Sequence, residues 1–275
     1  MHCIALRRDD VTIRKEPRDD DGARGEERRF FRLTLVVVYE SPMKVFYGLK
    51  PTPISEMMAQ GIGACLLTSS FATLWVAKTQ PVPVQTRFAI IHLICAFARA
   101  TVMSCHGAKA ARAGGVTVGE WLPGVSIAVA TVLILAESLR DCEKVAPIRN
   151  WIKDSKSIAQ KIVSAHLIME FYYMIMMHFG NVQDAWFAVK LKPTDYLTIN
   201  WLANMLFMRF LVTMVMFCAL PKSDKAPYRL ATLNTLTDLF VMKTHAAALK
   251  PAEFPKHFGM AVARLGALLF ASTSA

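Results

Sequence analysis

Seven apolar runs follow one another along the chain, and short polar segments separate them. They cover residues 54–77, 87–105, 118–136, 158–179, 196–220, 228–249 and 258–272. Most approach the ~20 residues that an α-helix needs to cross a hydrocarbon core of about 30 Å. A soluble bundle could hardly hide seven such helices from water. The pattern therefore predicts an all-α polytopic membrane protein with about seven (six to eight) transmembrane helices.

The segment before these runs is strongly charged. Residues 1–29 carry eight basic and eight acidic side chains and no apolar core, so we expect a disordered, solvated tail rather than a signal or transit peptide. An eighth apolar run follows at residues 30–47, where Glu40, Pro42 and Lys44 interrupt it. This run fits either an interfacial helix or a marginal transmembrane helix.

Basic residues flank the apolar runs at both ends. The 246 residues after the tail carry 24 basic and 13 acidic side chains, which accounts for the net charge of +11. Because basic residues occur in successive loops, the positive-inside rule gives no orientation. Such flanks suit anionic lipid head groups as well as simple anchoring at the interface. We expect anionic membrane lipids and other membrane proteins as partners, and no nucleic acid.

A four-residue motif recurs with an offset of 142 residues. Leu-Lys-Pro-Thr occupies residues 49–52 and again 191–194, and Arg87 matches Arg229 at the same offset. The order of loops and helices is also shared. We interpret this as two parallel repeats, either three helices on each side of a linker helix or two units of three to four helices at 30–149 and 150–275. We prefer the second grouping. Parallel repeats occur in some transporters.

Ionisable side chains within the apolar runs are costly and usually mark a function or a buried pair. His166 and Glu170 are four residues apart and share one helix face. Arg209 and Asp238 each lie midway along their runs, so we expect Arg209 to pair with Asp238 or Glu170. Structural pairing is the favoured interpretation, ahead of a substrate or proton pathway and of a catalytic site. Arg264 lies near a predicted helix end and is expected to reach water.

The chain shows no motif of a known catalytic or metal centre. Its six cysteines have no metal-ligand spacing, and one His-x-x-x-Glu lacks the further histidines of a di-iron site. A nucleophile elbow, a phosphate loop and a paired-carboxylate motif are also missing. The prediction is therefore no catalytic residue, no metal site and no cofactor.

A pattern within residues 198–249 resembles a known family. Trp201 and Arg209 are eight residues apart on one long run, and Tyr228 opens the next. This pattern resembles the small four-helix endoplasmic-reticulum family that scaffolds sterol C4-demethylation, over about 80 residues. The resemblance implies a non-enzymatic role in holding membrane enzymes together, and a duplication of the unit. The first unit departs from it, with Ala59 and Leu67 in place of Trp201 and Arg209.

Three functions are compatible with these features. The first is a non-enzymatic integral membrane scaffold or accessory subunit, in sterol or lipid metabolism if the resemblance holds. The alternatives are a small transporter built from parallel repeats and an integral-membrane lipid or isoprenoid enzyme. We expect the endoplasmic reticulum as the location, with the mitochondrial inner membrane as the alternative. Paired polar groups inside a dry bundle favour the scaffold, whereas a shared water-filled cavity favours the other two.

Overall fold

The computed structural model describes residues 52–112, 118–140, 145–147 and 155–274. Helices joined by loops make up this part of the chain. Within these residues the only strand-like contact is an isolated bridge between Phe187 and Leu249. The charged tail, the interrupted run at 30–47 and the first three residues of the Leu-Lys-Pro-Thr motif lie outside the described residues.

Seven long helices and one short helix make up the described chain. They are α1 (Pro53–Thr79), α2 (Val82–Arg112), α3 (Val118–Leu139), α4 (Ile158–Phe179), α5 (Val182–Trp186), α6 (Pro193–Ala219), α7 (Ala226–Thr244) and α8 (Phe254–Ser274). A 3₁₀ turn, Ala246–Ala248, lies between α7 and α8. Each of the seven apolar runs lies mainly on one long helix, and the run at 228–249 also includes the 3₁₀ turn, which confirms the all-α prediction.

Three of these helices are long and apolar enough to cross a membrane. They are α1, α4 and the part of α6 from Asp195 to Ala219. This finding agrees with an integral membrane protein. The total of about seven spans and the two parallel repeats remain predictions.

Local sequence explains where the long helices begin. Thr52 and Ser55 form a capping box at the start of α1, with the Ser55 amide donating to the Thr52 hydroxyl at 3.0 Å. Ser157 and Gln160 form a second capping box at the start of α4. Such boxes satisfy amides that have no partner within the helix. Both α1 and α6 also have a proline in the first turn, where its missing amide costs nothing.

Helices α1 and α6 lie side by side and run in the same direction. At one end the Thr52 hydroxyl donates a hydrogen bond to the Asp195 carboxylate in the first turn of α6. Further along, Gly61 lies so close to Leu202 that an added Cβ would be 3.1 Å from its methyl carbons. The two helix starts therefore occupy the same end of the bundle.

Helix α6 is the centre of the bundle. It packs against α1, α2, α4 and α7, while α7 also packs against α1 and α8, and α2 packs against α3. Helix α1 therefore contacts α7, which follows α6, and α6 contacts α2, which follows α1. Most of the apolar stretch of α6 is buried.

Several helices leave large apolar side chains on the outside of the bundle. On α4 and α8 these are Ile158, Ile168, Phe171, Tyr172, Ile175, Phe179, Met260, Val262, Leu269 and Phe270. Continuous apolar surface of this kind is unfavourable in water and suits lipid tails or partner helices. The exposed faces therefore agree with the membrane assignment.

Candidate functional site

Arg209 is the centre of a polar network inside the bundle. Its guanidinium donates to both carboxylate oxygens of Asp238 on α7, at 2.7 and 3.0 Å. Its Nη2 also lies 2.9 Å from Oε1 of Glu170 on α4. The Arg209 side chain is only 3% exposed and that of Glu170 is fully buried. One arginine from α6 therefore contacts carboxylates from two other helices.

Asp238 binds a second arginine, which comes from α8. Nη2 of Arg264 donates to Oδ2 of Asp238 at 2.7 Å, and the Arg264 side chain is 8% exposed. The expectation that Arg264 reaches water is therefore wrong. Arg264 lies near the middle of α8, and its side chain contacts Asp238 on α7 rather than water.

His166 lies next to Glu170 at the far side of the network. Its Nε2 is 3.3 Å from Oε1 of Glu170, and both side chains are fully buried on α4. The structure thus brings together all four polar residues singled out from the sequence, and adds Arg264. We refer to His166, Glu170, Arg209, Asp238 and Arg264 as the polar network.

The formal charges of the polar network cancel. Arg209 and Arg264 supply two positive charges, and Glu170 and Asp238 supply two negative charges. Charges taken out of water cost several kcal/mol each unless opposite charges and hydrogen bonds compensate them. The network therefore connects α4, α6, α7 and α8 through groups that would be unfavourable one at a time.

Four members of the polar network, Glu170, Arg209, Asp238 and Arg264, form one wall of a cavity of about 130 Å³ at the junction of α1, α4, α6, α7 and α8. The remaining walls are apolar and rich in methionine. Those side chains are Met57, Met58, Met169, Met177, Leu202, Leu206, Val241, Met242 and Leu249. Methionine adapts its shape easily, so such walls can move to fit an occupant.

Three aromatic rings also line the cavity, those of Tyr173, Trp186 and His257, and we call this part its aromatic end. The hydroxyl of Tyr173 is 3.2 Å from Nδ1 of His257, and the ring of Trp186 is 5.4 Å from that of His257. These rings come from α4, α5 and the start of α8. Glu253 lies beside them, and a hydrogen bond from Lys256 lowers the pKa of its carboxyl.

The three residues that carry the family resemblance lie in different surroundings. Arg209 is in the polar network, whereas Trp201 packs against the main apolar core. Tyr228 is buried at the start of α7, in a smaller apolar cluster, with its ring 6.3 Å from that of Phe217. Trp201 and Tyr228 therefore contribute packing around the helices that hold Arg209.

Metal binding receives no support from the part of the chain that the structure describes. There, no group of three or more His, Cys, Asp or Glu side chains is placed to hold an ion. His166, Glu170 and Asp238 do not form such a group, because Arg209 lies between the two carboxylates.

The aromatic end and the full lining of the cavity could not be found from sequence periodicity. Tyr173, Trp186 and His257 are distant in sequence, and only helix packing brings them together. No family model, curated protein or solved structure matches the chain. A functional proposal must therefore rest on the contacts within the polar network and on the lining of the cavity.

Proposed function

We propose that this chain is a non-enzymatic integral membrane scaffold or accessory subunit that organises membrane enzymes or a larger membrane complex. The observation that carries this proposal is the mutual pairing within the polar network. Each charged group in it contacts an opposite charge, and Asp238 contacts two. A proton or substrate pathway needs polar groups that exchange partners readily, and a bidentate arginine pair is a poor candidate for that.

The outer surface of the bundle suits the same role. Phe171 and Ile175 on α4, and Ile94 and Phe97 on α2, are large apolar side chains that the fold leaves exposed. In a bilayer such faces contact lipid tails or the helices of a partner. Two faces on different helices allow one chain to hold more than one partner. The basic loops add attraction to anionic lipid head groups.

The proposed topology is a bundle of about seven spans in two parallel repeats. The parallel packing of α1 and α6, with Thr52 and Asp195 in contact at their starts, supports it. The proposed setting is the endoplasmic reticulum and sterol or lipid metabolism. That setting rests on the family resemblance at Trp201, Arg209 and Tyr228, with the mitochondrial inner membrane as the alternative.

A small transporter is the second candidate function. It is favoured by the same parallel arrangement and by the cavity that Glu170, Arg209 and Asp238 border. The pairing of these groups counts against it, because both carboxylates are already held by arginine. We therefore place the transporter, and with it a lipid enzyme, behind the scaffold.

Affinity purification of the tagged full chain from native membranes in mild detergent tests the scaffold proposal. The expected result is at least one membrane protein in a fixed, near-stoichiometric ratio to the chain. Two paired variants control for specificity, Phe171→Ala with Ile175→Ala on α4 and Ile94→Ala with Phe97→Ala on α2. At least one of the two should lose the partner while its melting temperature stays unchanged. A chain that purifies alone and monodisperse would contradict the proposal.

A further inference from the structure

The cavity reaches from the end of the bundle to the polar network at its middle. Its lining residues on α1 extend from Met57 to Cys65, and eight helical residues correspond to a length of about 12 Å. Met169, Tyr173, Met242 and other lining side chains are only half-buried, so the cavity opens to the surroundings of the bundle. A molecule dissolved in the bilayer can therefore reach it.

The size and the walls of the cavity fit hydrocarbon. An apolar protein cavity of roughly 150 Å³ stays free of water and accepts a small apolar molecule. The present cavity has a volume of about 130 Å³ and methionine on three of its helices. Rearrangement of those flexible side chains would lengthen it enough for a chain or a ring system.

The polar wall of the cavity determines which head group a bound molecule can carry. The network is neutral, so an added carboxylate or ammonium group would leave one buried charge without a partner, at a cost of several kcal/mol. Hydrogen-bonding capacity nevertheless remains on this wall. Oε2 of Glu170, and the Nε–H groups of Arg209 and Arg264, take part in no hydrogen bond.

A hydroxyl group matches this remaining capacity. It donates one hydrogen bond, which a carboxylate oxygen of Glu170 accepts, and it accepts one, which an arginine Nε–H donates. It also brings no charge into the cavity. An apolar molecule without any polar head would leave these buried groups without partners, which is unfavourable.

We propose that the cavity binds one neutral, mostly hydrocarbon alcohol, with its hydroxyl against Glu170 and its hydrocarbon body between the methionines and Trp186. This inference goes beyond the scaffold proposal and does not depend on it. The chemistry is that of a neutral lipid alcohol taken from the bilayer.

Trp186 supplies the reporter for a direct test. It lies at the aromatic end of the cavity, where a bromine atom on the tail of a bound alcohol would quench its fluorescence. The probes are terminally brominated octanol, octanoic acid and octylamine, added to the full chain in detergent micelles. The Trp186→Phe variant separates the signal of Trp186 from that of the other four tryptophans.

The unaltered chain should show saturable quenching of Trp186 by the bromo-alcohol. The acid and the amine should bind at least about tenfold more weakly than the alcohol. A tenfold difference corresponds to about 1.4 kcal/mol, which is less than the cost of burying a charge without a partner. Quenching that is not saturable, or that is equal for all three head groups, would overturn the proposal. This comparison needs no cavity variant and so does not depend on whether such a variant folds.

Three further variants test where the probe binds and which head group the site prefers. Ala261→Phe fills the cavity from α8 and should weaken binding of the alcohol at least tenfold, whereas Val262→Phe, on the exposed side of the same helix, should not. Glu170→Gln leaves the network with one net positive charge, so the preference should shift from the alcohol to the acid. Equal binding by the two phenylalanine variants would place the probe elsewhere.

Discussion

Removing Arg209 tests whether the polar network holds the bundle together. The substitution Arg209→Met keeps the length of the side chain and removes its charge, so Glu170 loses the arginine that it contacts at 2.9 Å. Removing one partner of a buried ion pair costs about 3–5 kcal/mol of unfolding free energy. Asp238 retains Arg264 at 2.7 Å, so we place the expected loss at the lower end of that range, about 3 kcal/mol.

A second substitution should restore part of this loss, and the structure says which one. In Arg209→Met with Glu170→Leu, the remaining ions are Asp238 and Arg264, which form a complete pair. In Arg209→Met with Asp238→Asn, Glu170 and Arg264 are each left without the partner that they contact. The first double variant should therefore be more stable than the second, although both remove two charges.

The measurement is reversible unfolding in mixed detergent micelles, followed by helical circular dichroism, for the single variants and both double variants. We expect a coupling energy of about 2 kcal/mol between Arg209 and Glu170, within the range found for groups in one network. Lys256→Met is the control, because its contact with Glu253 lies on the surface and its loss should have almost no effect. Additive losses, with coupling below about 0.5 kcal/mol, would refute the pairing argument.

Two other predictions concern the packing of α1 against α6. Thr52→Val removes both the cap of α1 and the hydrogen bond to Asp195, and should lower the unfolding free energy by about 1–2 kcal/mol in the same assay. Gly266→Ala on α8 has no atom within 4 Å of the added Cβ and should stabilise by about 1 kcal/mol through helix propensity. Gly61→Ala has the same propensity gain, but its Cβ would meet Leu202 at 3.1 Å, so it should be clearly less stable than Gly266→Ala. Equal stability of the two alanine variants would contradict the close approach of α1 and α6.

The helices of this chain could be predicted from the sequence because their cause is local. An apolar run of about 20 residues in lipid has to satisfy its own backbone, so it forms a helix whatever its neighbours are. The start of α8 was harder to predict, because Pro255 and Lys256 interrupt the apolar pattern. A proline in the first turn is nevertheless compatible with a helix. The contact of Arg264 with Asp238 could not be predicted from the sequence, because it depends on how α8 packs against α7.

Only the charge pairing within the candidate site could be predicted from the sequence. Opposite charges at the middle of neighbouring apolar runs need each other, so Arg209 and its carboxylates could be expected to meet. The second arginine on Asp238 and the cavity depend on how five helices pack, which periodicity does not contain. Met169 and Met174 lie on the same helix, yet one lines the cavity and the other is in the core.

The predicted repeat is compatible with a structural pairing of Arg209 and Asp238. At the offset of 142, Leu67 on α1 corresponds to Arg209 and Ala96 on α2 corresponds to Asp238. Both positions of the pair are therefore apolar in the first unit, and neither charge is left without a partner there. Two ions that form a structural pair must be replaced by apolar residues together, because either ion alone would be buried without an opposite charge. Helix α1, at the corresponding place in the first unit, supplies apolar side chains such as Met57 and Met58 to the wall of the cavity.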